Sequence, residues 1–185
     1  MRVVAGRVKG HHLRMPKGSE TRPTSDKVRE AIFSILSDAV EDRRVLDLFA
    51  GTGAMGIEAL SRGASFCVFV ERRRPVCDVI RANLAHTRLT EESRVLCMPV
   101  ERALSVLDEP FGLILLDPPY QYPDLHGIIT MLGEARVIED DTVVVFEHSP
   151  RVILAERYGR LALKRQKVYG DTAVSLLAVG EEQTL

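Results

Sequence analysis

Apolar residues along this chain of 185 residues change period several times. Nearly continuous apolar runs occur at 45–49, 66–70, 95–98, 113–116 and 142–146, each of a length that suits a strand buried on both faces. Between them, residues 54–62, 75–86, 103–107 and 125–132 carry apolar positions at helical spacing, with Pro75 in the first turn of its helix, where a missing N–H costs nothing. Upstream, Val28, Ile32, Ile35, Leu36 and Ala39 also recur at helical spacing, and Thr24 or Ser25 can cap that helix. Such βα alternation predicts a mostly parallel sheet covered on both faces. The rhythm breaks at the carboxyl end, where 161–168 and 172–179, joined through Tyr169-Gly170-Asp171, predict an antiparallel hairpin on the sheet edge. At the amino end, Val3-Val4-Ala5 and His11-His12-Leu13, parted by Gly6 and Gly10, predict a short β-hairpin, and 16–23 reads as a polar connector. There is no internal repeat, low-complexity segment or linker. The expectation is one doubly wound α/β domain over 1–185, with 1–23 as an amino-terminal extension and 24–185 as the core.

Composition narrows the options. At 45% hydrophobic and 28% charged residues, the chain can bury a sizeable core. No apolar stretch approaches the roughly 20 residues of a membrane span, and the first six residues lack a signal-peptide core, so a cytoplasmic location without membrane contact is expected. Cys67, Cys77 and Cys97 are widely spaced among apolar neighbours with no C-x-x-C pair, which predicts reduced core residues and no metal. The formal net charge of −1 is unevenly placed. Residues 1–29 hold eight cations (Arg2, Arg7, Lys9, Arg14, Lys17, Arg22, Lys27, Arg29) against Glu20 and Asp26, so that +6 there leaves −7 elsewhere. A cationic segment without aromatics suits phosphate-backbone contact rather than base stacking, although a solvated surface would read the same way.

Two turns carry candidate chemistry. In Asp47-Leu48-Phe49-Ala50-Gly51-Thr52-Gly53-Ala54-Met55-Gly56, the first strand turns into a helix. Gly51 and Gly53 let backbone approach a ligand, and the helix amino terminus offers unpaired N–H groups. Gly51-x-Gly53-x-x-Gly56 also satisfies a dinucleotide fingerprint, with Glu71 at the end of the second strand placed to take a ribose diol. Asp47 weighs against a nicotinamide cofactor, because its charge repels a pyrophosphate yet pairs well with the ammonium of an amino-acid ligand such as S-adenosylmethionine. The second turn, Asp117-Pro118-Pro119-Tyr120, ends the apolar run Leu113-Ile114-Leu115-Leu116. Two prolines stop the strand, and the turn presents a carboxylate, a carbonyl with no adjacent amide donor and an aromatic face. Those groups suit a flat base bearing an exocyclic amine. A stiff loop is the plainer alternative.

Along nearly its whole length the chain resembles the bacterial 16S ribosomal RNA guanine-N2 methyltransferases of the small subunit. The resemblance rests on the opening six residues, Thr21-Arg22-Pro23-Thr24-Ser25-Asp26-Lys27-Val28-Arg29-Glu30, the glycine loop from Leu46, Glu58-Ala59-Leu60-Ser61-Arg62-Gly63-Ala64, Val70-Glu71-Arg72, the Asp117 turn, Glu147-His148-Ser149 and Tyr169-Gly170-Asp171-Thr172. It implies a Rossmann-like class I methyltransferase fold with S-adenosylmethionine as cofactor and 16S RNA or a small-subunit assembly intermediate as partner, acting as a monomer. It further implies that Asp47, Gly51 and Gly53 hold the methionine part and that Glu71 takes the ribose hydroxyls, with Phe49, Thr52 and Arg72 also in the cofactor site. Asp117, Pro118, Pro119 and Tyr120 would form the guanine-amine pocket, and Arg22, Pro23 and Thr24 would lie at the active-site mouth, contacting RNA or covering the cofactor; from the charge pattern, Arg7, Lys9 and Arg14 of the basic amino end are expected to bind RNA. One departure stands out: Met98-Pro99 replaces a Gly-Asp-like pair whose acid lies beside the adenine. Here the adenine contact falls to backbone near Pro99 and Val100, to Glu101, or to stacking alone.

The chemistry expected is direct in-line methyl transfer, with positioning as the main catalytic contribution and a base flipped out to meet Tyr120. A DNA adenine or protein glutamine methyltransferase, or a non-catalytic module that keeps the cofactor loop, are the other readings. His11 and His12 fit a solvated pair, Glu147-His148-Ser149 a capped strand end, and Arg72-Arg73-Arg74 either more cationic surface or a helix start.

Overall fold

A computed structural model describes residues 1–16 and 26–180. The five apolar runs form β1 (Arg44–Leu48), β2 (Phe66–Glu71), β3 (Ser93–Cys97), β4 (Leu113–Leu116) and β5 (Val143–His148), all parallel. Three further strands follow: β6 (Arg157–Tyr158), β7 (Leu161–Tyr169) and β8 (Thr172–Val179). The eight-stranded order is β3-β2-β1-β4-β5-β8-β7-β6, with β8 antiparallel to both β5 and β7. The carboxyl-terminal hairpin is thus present, but the outermost strand is β6, a two-residue segment too short to show any period.

Helices α1 (Asp26–Leu36), α2 (Ala54–Ser61), α3 (Arg74–Thr87), α4 (Val100–Val106) and α5 (Leu125–Glu134) cover the sheet. Strand alternation sorts the core into two layers. Val45, Phe69, Leu113, Leu115 and Val145 pack with α1, α2, α3 and Val3 and Leu13 of the amino-terminal arm. Leu46, Leu48, Val68, Val70, Ile114 and Leu116 pack with α4, α5 and Tyr158. In this alternation Asp47 shares the face of Val45 and lies toward α2.

The expected amino-terminal hairpin is a turn with a single antiparallel bridge, Arg2 to His12. Its bonds run from Val3 N–H to the His11 carbonyl at 3.0 Å and from Leu13 N–H to the Met1 carbonyl at 3.1 Å. This arm lies on α2, every residue of which is consequently buried. Fully buried Glu58 accepts from Val4 N–H at 2.8 Å and Ala5 N–H at 3.0 Å, and Ser61 Oγ accepts from Val8 N–H at 3.1 Å. The arm approaches α2 so closely that a Cβ on Gly6, at φ +81°, would fall 1.8 Å from the Ser61 carbonyl oxygen.

Arg29 departs from the reading of residues 1–29 as a phosphate-binding face. It is fully buried, with Nε 3.5 Å from Glu58 Oε2 and Nη2 donating to the Arg2 carbonyl at 2.6 Å and to Asp26 at 2.8 Å. Its charge therefore ties α1, α2 and the arm together and is withheld from any ligand. The Thr24 or Ser25 cap lies outside the described residues.

Glu58→Ala takes from the Arg29 cation its buried carboxylate, leaving it the half-exposed Asp26, and removes the acceptor for two arm amides. Breaking a buried pair from one side costs about 3–5 kcal/mol, so thermal denaturation should show a fall of ~10 °C, and hydrogen exchange should show faster exchange at Val4 and Ala5. An unchanged Tm would deny Glu58 this role.

Candidate active site

The carboxyl ends of β1 to β5 open on one cleft of about 1220 Å³, next to the point where strand order reverses between β1 and β4. Asp47, Phe49, Gly51 and Thr52 line it after β1, Glu71 and Arg72 after β2, and Pro99 and Val100 at the start of α4. Asp117, Pro118, Pro119 and Tyr120 face the same cleft from the end of β4. Gly53 sits behind this wall as the residue capping α2. Arg7, Lys9 and Arg14 are exposed outside the cleft, with Arg7 ion-paired to Glu92. Arg22, Pro23 and Thr24 fall outside the described residues.

The glycine loop has a specific physical task. Phe49, Gly51 and Gly53 all adopt left-handed conformations (φ 60°, 53° and 77°), which reverse the chain between β1 and α2 within a few residues. A Cβ on Gly51 would meet nothing nearer than the Phe49 carbonyl oxygen at 3.9 Å, so this stretch of cleft wall is bare backbone. Gly56 serves packing instead: a Cβ there would lie 2.3 Å from Phe69 Cε1 and 2.7 Å from Cys67 Sγ.

Asp47 is 3% exposed, and among the described residues its one hydrogen-bond donor is Gly56 N–H, at 2.9 Å. Burial pushes its carboxyl up to about 7, against the opposing pull of the Gly56 bond and with a smaller contribution from the Glu71 charge. Glu71 is held by Gly51 N–H at 3.3 Å and Arg73 N–H at 2.9 Å, with Arg73 Nε at 3.3 Å. The two carboxylates give this side of the cleft an acidic floor under a bare backbone wall.

The Asp117 turn is fixed to its surroundings at several points. Asp117 N–H reaches the Leu48 carbonyl at 3.5 Å, and Tyr122 N–H donates to the Pro119 carbonyl at 2.8 Å. Tyr120 is 61% exposed, and its hydroxyl lies 3.2 Å from Thr172 Oγ1 at the β7–β8 turn. Glu147 also lines the cleft, whereas His148 is committed elsewhere. His148 Nδ1 donates to the Ser149 carbonyl, Nε2 accepts from Ser175 Oγ, both at 2.8 Å, and burial lowers its pKa, which favours the neutral ring.

Sequence reasoning missed two residues that shape the site. Tyr122 packs edge-on against Phe49 with centroids 5.1 Å apart and donates its hydroxyl to Glu101, bridging the walls on either side. Burial, and then the Glu101 bond, push this phenol up to about 12. Asn83, fully buried on α3, donates to the Thr52 carbonyl at 2.9 Å and accepts from Arg14 N–H at 2.7 Å, linking glycine loop to arm. Its signal was its place on the apolar stripe of Val76, Ile80, Leu84 and Thr87, and Glu58 is likewise an acid within a helix buried all round. Cys97 corrects the expectation of three core cysteines: it is exposed, and its sulfur lies 2.7 Å from that of buried Cys77.

The family model described as conserved hypothetical protein 95 matches residues 1–178. A Bacillus subtilis protein, provisionally named as the rRNA methyltransferase YlbH, is 40% identical over 95% of this chain and 97% of its own. Ribosomal RNA small subunit methyltransferase D of Escherichia coli is 32% identical over 95% of this chain and 88% of its own. A solved Escherichia coli structure, provisionally named as the methyltransferase yhhF, superposes with a TM-score of 0.86 at 31% identity, over 98% of this chain and 99% of that one. The doubly wound sheet with its antiparallel edge is therefore a methyltransferase fold.

Asp47 also makes a stability prediction. An acid whose pKa is raised by folding stabilises the folded chain below its unfolded value, and that contribution is lost as pH rises to about 7. Asp47→Asn removes the penalty. In paired thermal melts of ligand-free protein, the variant's Tm minus that of wild type should grow by a few degrees from pH 5 to pH 8. A difference independent of pH would contradict the buried charge.

Proposed function

The chain belongs to the conserved hypothetical protein 95 family, and from that premise we propose that it methylates the exocyclic N2 amine of a guanine in 16S ribosomal RNA, using S-adenosylmethionine. The observation that carries this reading is the single cleft onto which both the glycine loop after β1 and the Asp117-Pro118-Pro119-Tyr120 turn after β4 open. The relatives' names supply the substrate class, since two that span nearly all of this chain are named for ribosomal RNA methylation.

The residues present fit the cofactor. S-adenosylmethionine supplies a methyl group on a cationic sulfur, next to an amino-acid ammonium and a ribose, and carries no phosphate. The buried, sparsely bonded Asp47 carboxylate favours an ammonium, which would return its carboxyl toward the ionised form. Glu71 offers acceptors for ribose hydroxyls, and the bare Gly51 backbone lets the methionine part lie close. Pro99 and Val100 wall the adenine side through backbone and apolar contact, because Glu101 is already bonded to Tyr122.

On the opposite wall, Asp117 and the Pro118 carbonyl accept the two protons of the guanine amine. Its delocalised lone pair is then turned toward the methyl group, and orientation is the principal catalytic contribution. Tyr120, exposed and tethered at its hydroxyl, offers its ring to a base taken out of its helix. Asp117 need not deprotonate the amine first, since the methylated cation is acidic and loses its proton afterwards. Exposed Arg2, Lys9, Arg14, Arg72 and Arg74 give the cleft mouth and arm a cationic border for RNA phosphates. Among the described residues no group of three His, Cys, Asp or Glu side chains is arranged to hold a metal, and no helix is long and apolar enough to cross a membrane. Action as a monomer in the cytoplasm is part of the proposal.

The test is transfer of methyl label to small ribosomal subunits and to naked 16S RNA from a strain lacking this gene. Label should be recovered as N2-methylguanosine. With DNA offered in a parallel reaction, recovery as N6-methyladenine there, or recovery in subunit protein, would replace this reading with another.

Two variants divide the roles. Asp117→Ala should lower turnover by at least ~10³-fold while calorimetry shows S-adenosylhomocysteine affinity within about twofold of wild type. Asp47→Asn should weaken that affinity by ~10-fold or more. Equal losses of turnover and affinity in Asp117→Ala would make the turn a fold element.

A further inference from the structure

We infer that Cys77 and Cys97 form a reversible oxidation site, in which a peroxide reaches the exposed Cys97 sulfur and Cys77 closes an intramolecular disulfide that staples α3 to β3. The sulfurs are 2.7 Å apart, only about 0.65 Å beyond a disulfide bond of about 2.05 Å. Each is held by a rigid element. Cys77 lies in the first turn of α3, its amide bonded to the Arg73 carbonyl at 3.0 Å and its thiol donating to the Glu71 carbonyl at 3.2 Å. Cys97 ends β3, directly opposite Glu71 in the β2–β3 ladder. The contact therefore follows from the βαβ packing rather than from two mobile side chains meeting.

Exposure assigns the roles. Cys97 is open to solvent, whereas Cys77 is buried, and burial, followed by the bond to Cys97, pushes the Cys77 thiol up to about 12. In the first step the Cys97 thiolate attacks one peroxide oxygen, the O–O bond breaks, hydroxide leaves and Cys97 becomes a sulfenic acid. The Cys77 sulfur then attacks the sulfenic sulfur: the S–S bond forms, the S–O bond breaks, and the departing hydroxide leaves as water with the Cys77 proton. Peroxide is reduced by two electrons and each sulfur is oxidised by one. Neither cysteine lines the cleft, so the staple would protect Cys97 from irreversible oxidation beside the Pro99 wall without entering the site.

Cys67 is the internal control. It is buried, and burial together with the Asp47 charge raises its thiol pKa well above the usual range.

The experiment treats the reduced full chain with a small excess of hydrogen peroxide, alkylates the remaining thiols and maps peptides by mass spectrometry, with melts run in parallel. The expected result is one Cys77–Cys97 linked peptide, alkylated Cys67 and a Tm raised by roughly 5 °C or more, all reversed by dithiothreitol. In Cys77→Ser, Cys97 should proceed to sulfinic acid. Wild-type Cys97 found as sulfinic acid beside alkylated Cys77, a link between two copies, or a lowered Tm would overturn the inference.

Discussion

A carboxylate kept almost entirely from water at the end of the central strand is the constraint around which the cleft is arranged. Burying an ion costs several kcal/mol unless opposite charge or hydrogen bonds offset it, and Asp47 has a single amide, from Gly56, to do so. For that amide to reach it, α2 must begin immediately beyond β1. The chain complies by placing Phe49 in a left-handed conformation, at a cost of about 1–3 kcal/mol, and by having glycine at 51, 53 and 56. A fold gains little from an under-compensated acid held by a strained turn. Under the proposed function, the cofactor's ammonium would give the arrangement a purpose.

The same helix that serves Asp47 at its amino end anchors the arm at its far end. Glu58 and Ser61 receive the backbone of residues 4–8, Arg29 neutralises Glu58 within the core, and Asn83 joins Arg14 to Thr52 of the glycine loop. The arm is therefore part of the domain's packing rather than an appendage. Its exposed cations keep a fixed relation to the cleft because buried polar bonds, each costly to leave unmade, fix the backbone that bears them.

Much of this was legible beforehand, and the reasons are physical. Strands of a parallel sheet are buried on both faces and so read as unbroken apolar runs, which is why β4 and the turn after it stood out. The β7–β8 hairpin carried its own turn residues. What escaped depended on partners distant in sequence. Arg29 counted as a surface cation because Glu58 joins it only after folding, and Cys97 seemed a core residue because its run is apolar, although β3 lies at the sheet edge. Strand β6 is too short for any pattern, and the left-handed turn at Phe49 has no residue preference to announce it. Within the site, the two turns that open on the cleft were legible as motifs, whereas Tyr122, which also lines it, and Asn83, which braces the glycine loop, were not.

The proposed function requires the sulfur-bearing cofactor and the Asp117 turn to face each other across one cleft. A crystal structure with S-adenosylhomocysteine tests it most directly. The ligand's ammonium is expected on Asp47, its ribose hydroxyls on Glu71 and its sulfur directed at the Asp117-Pro118-Pro119-Tyr120 turn. A ligand bound elsewhere, or one whose sulfur faces away from that turn, would contradict it.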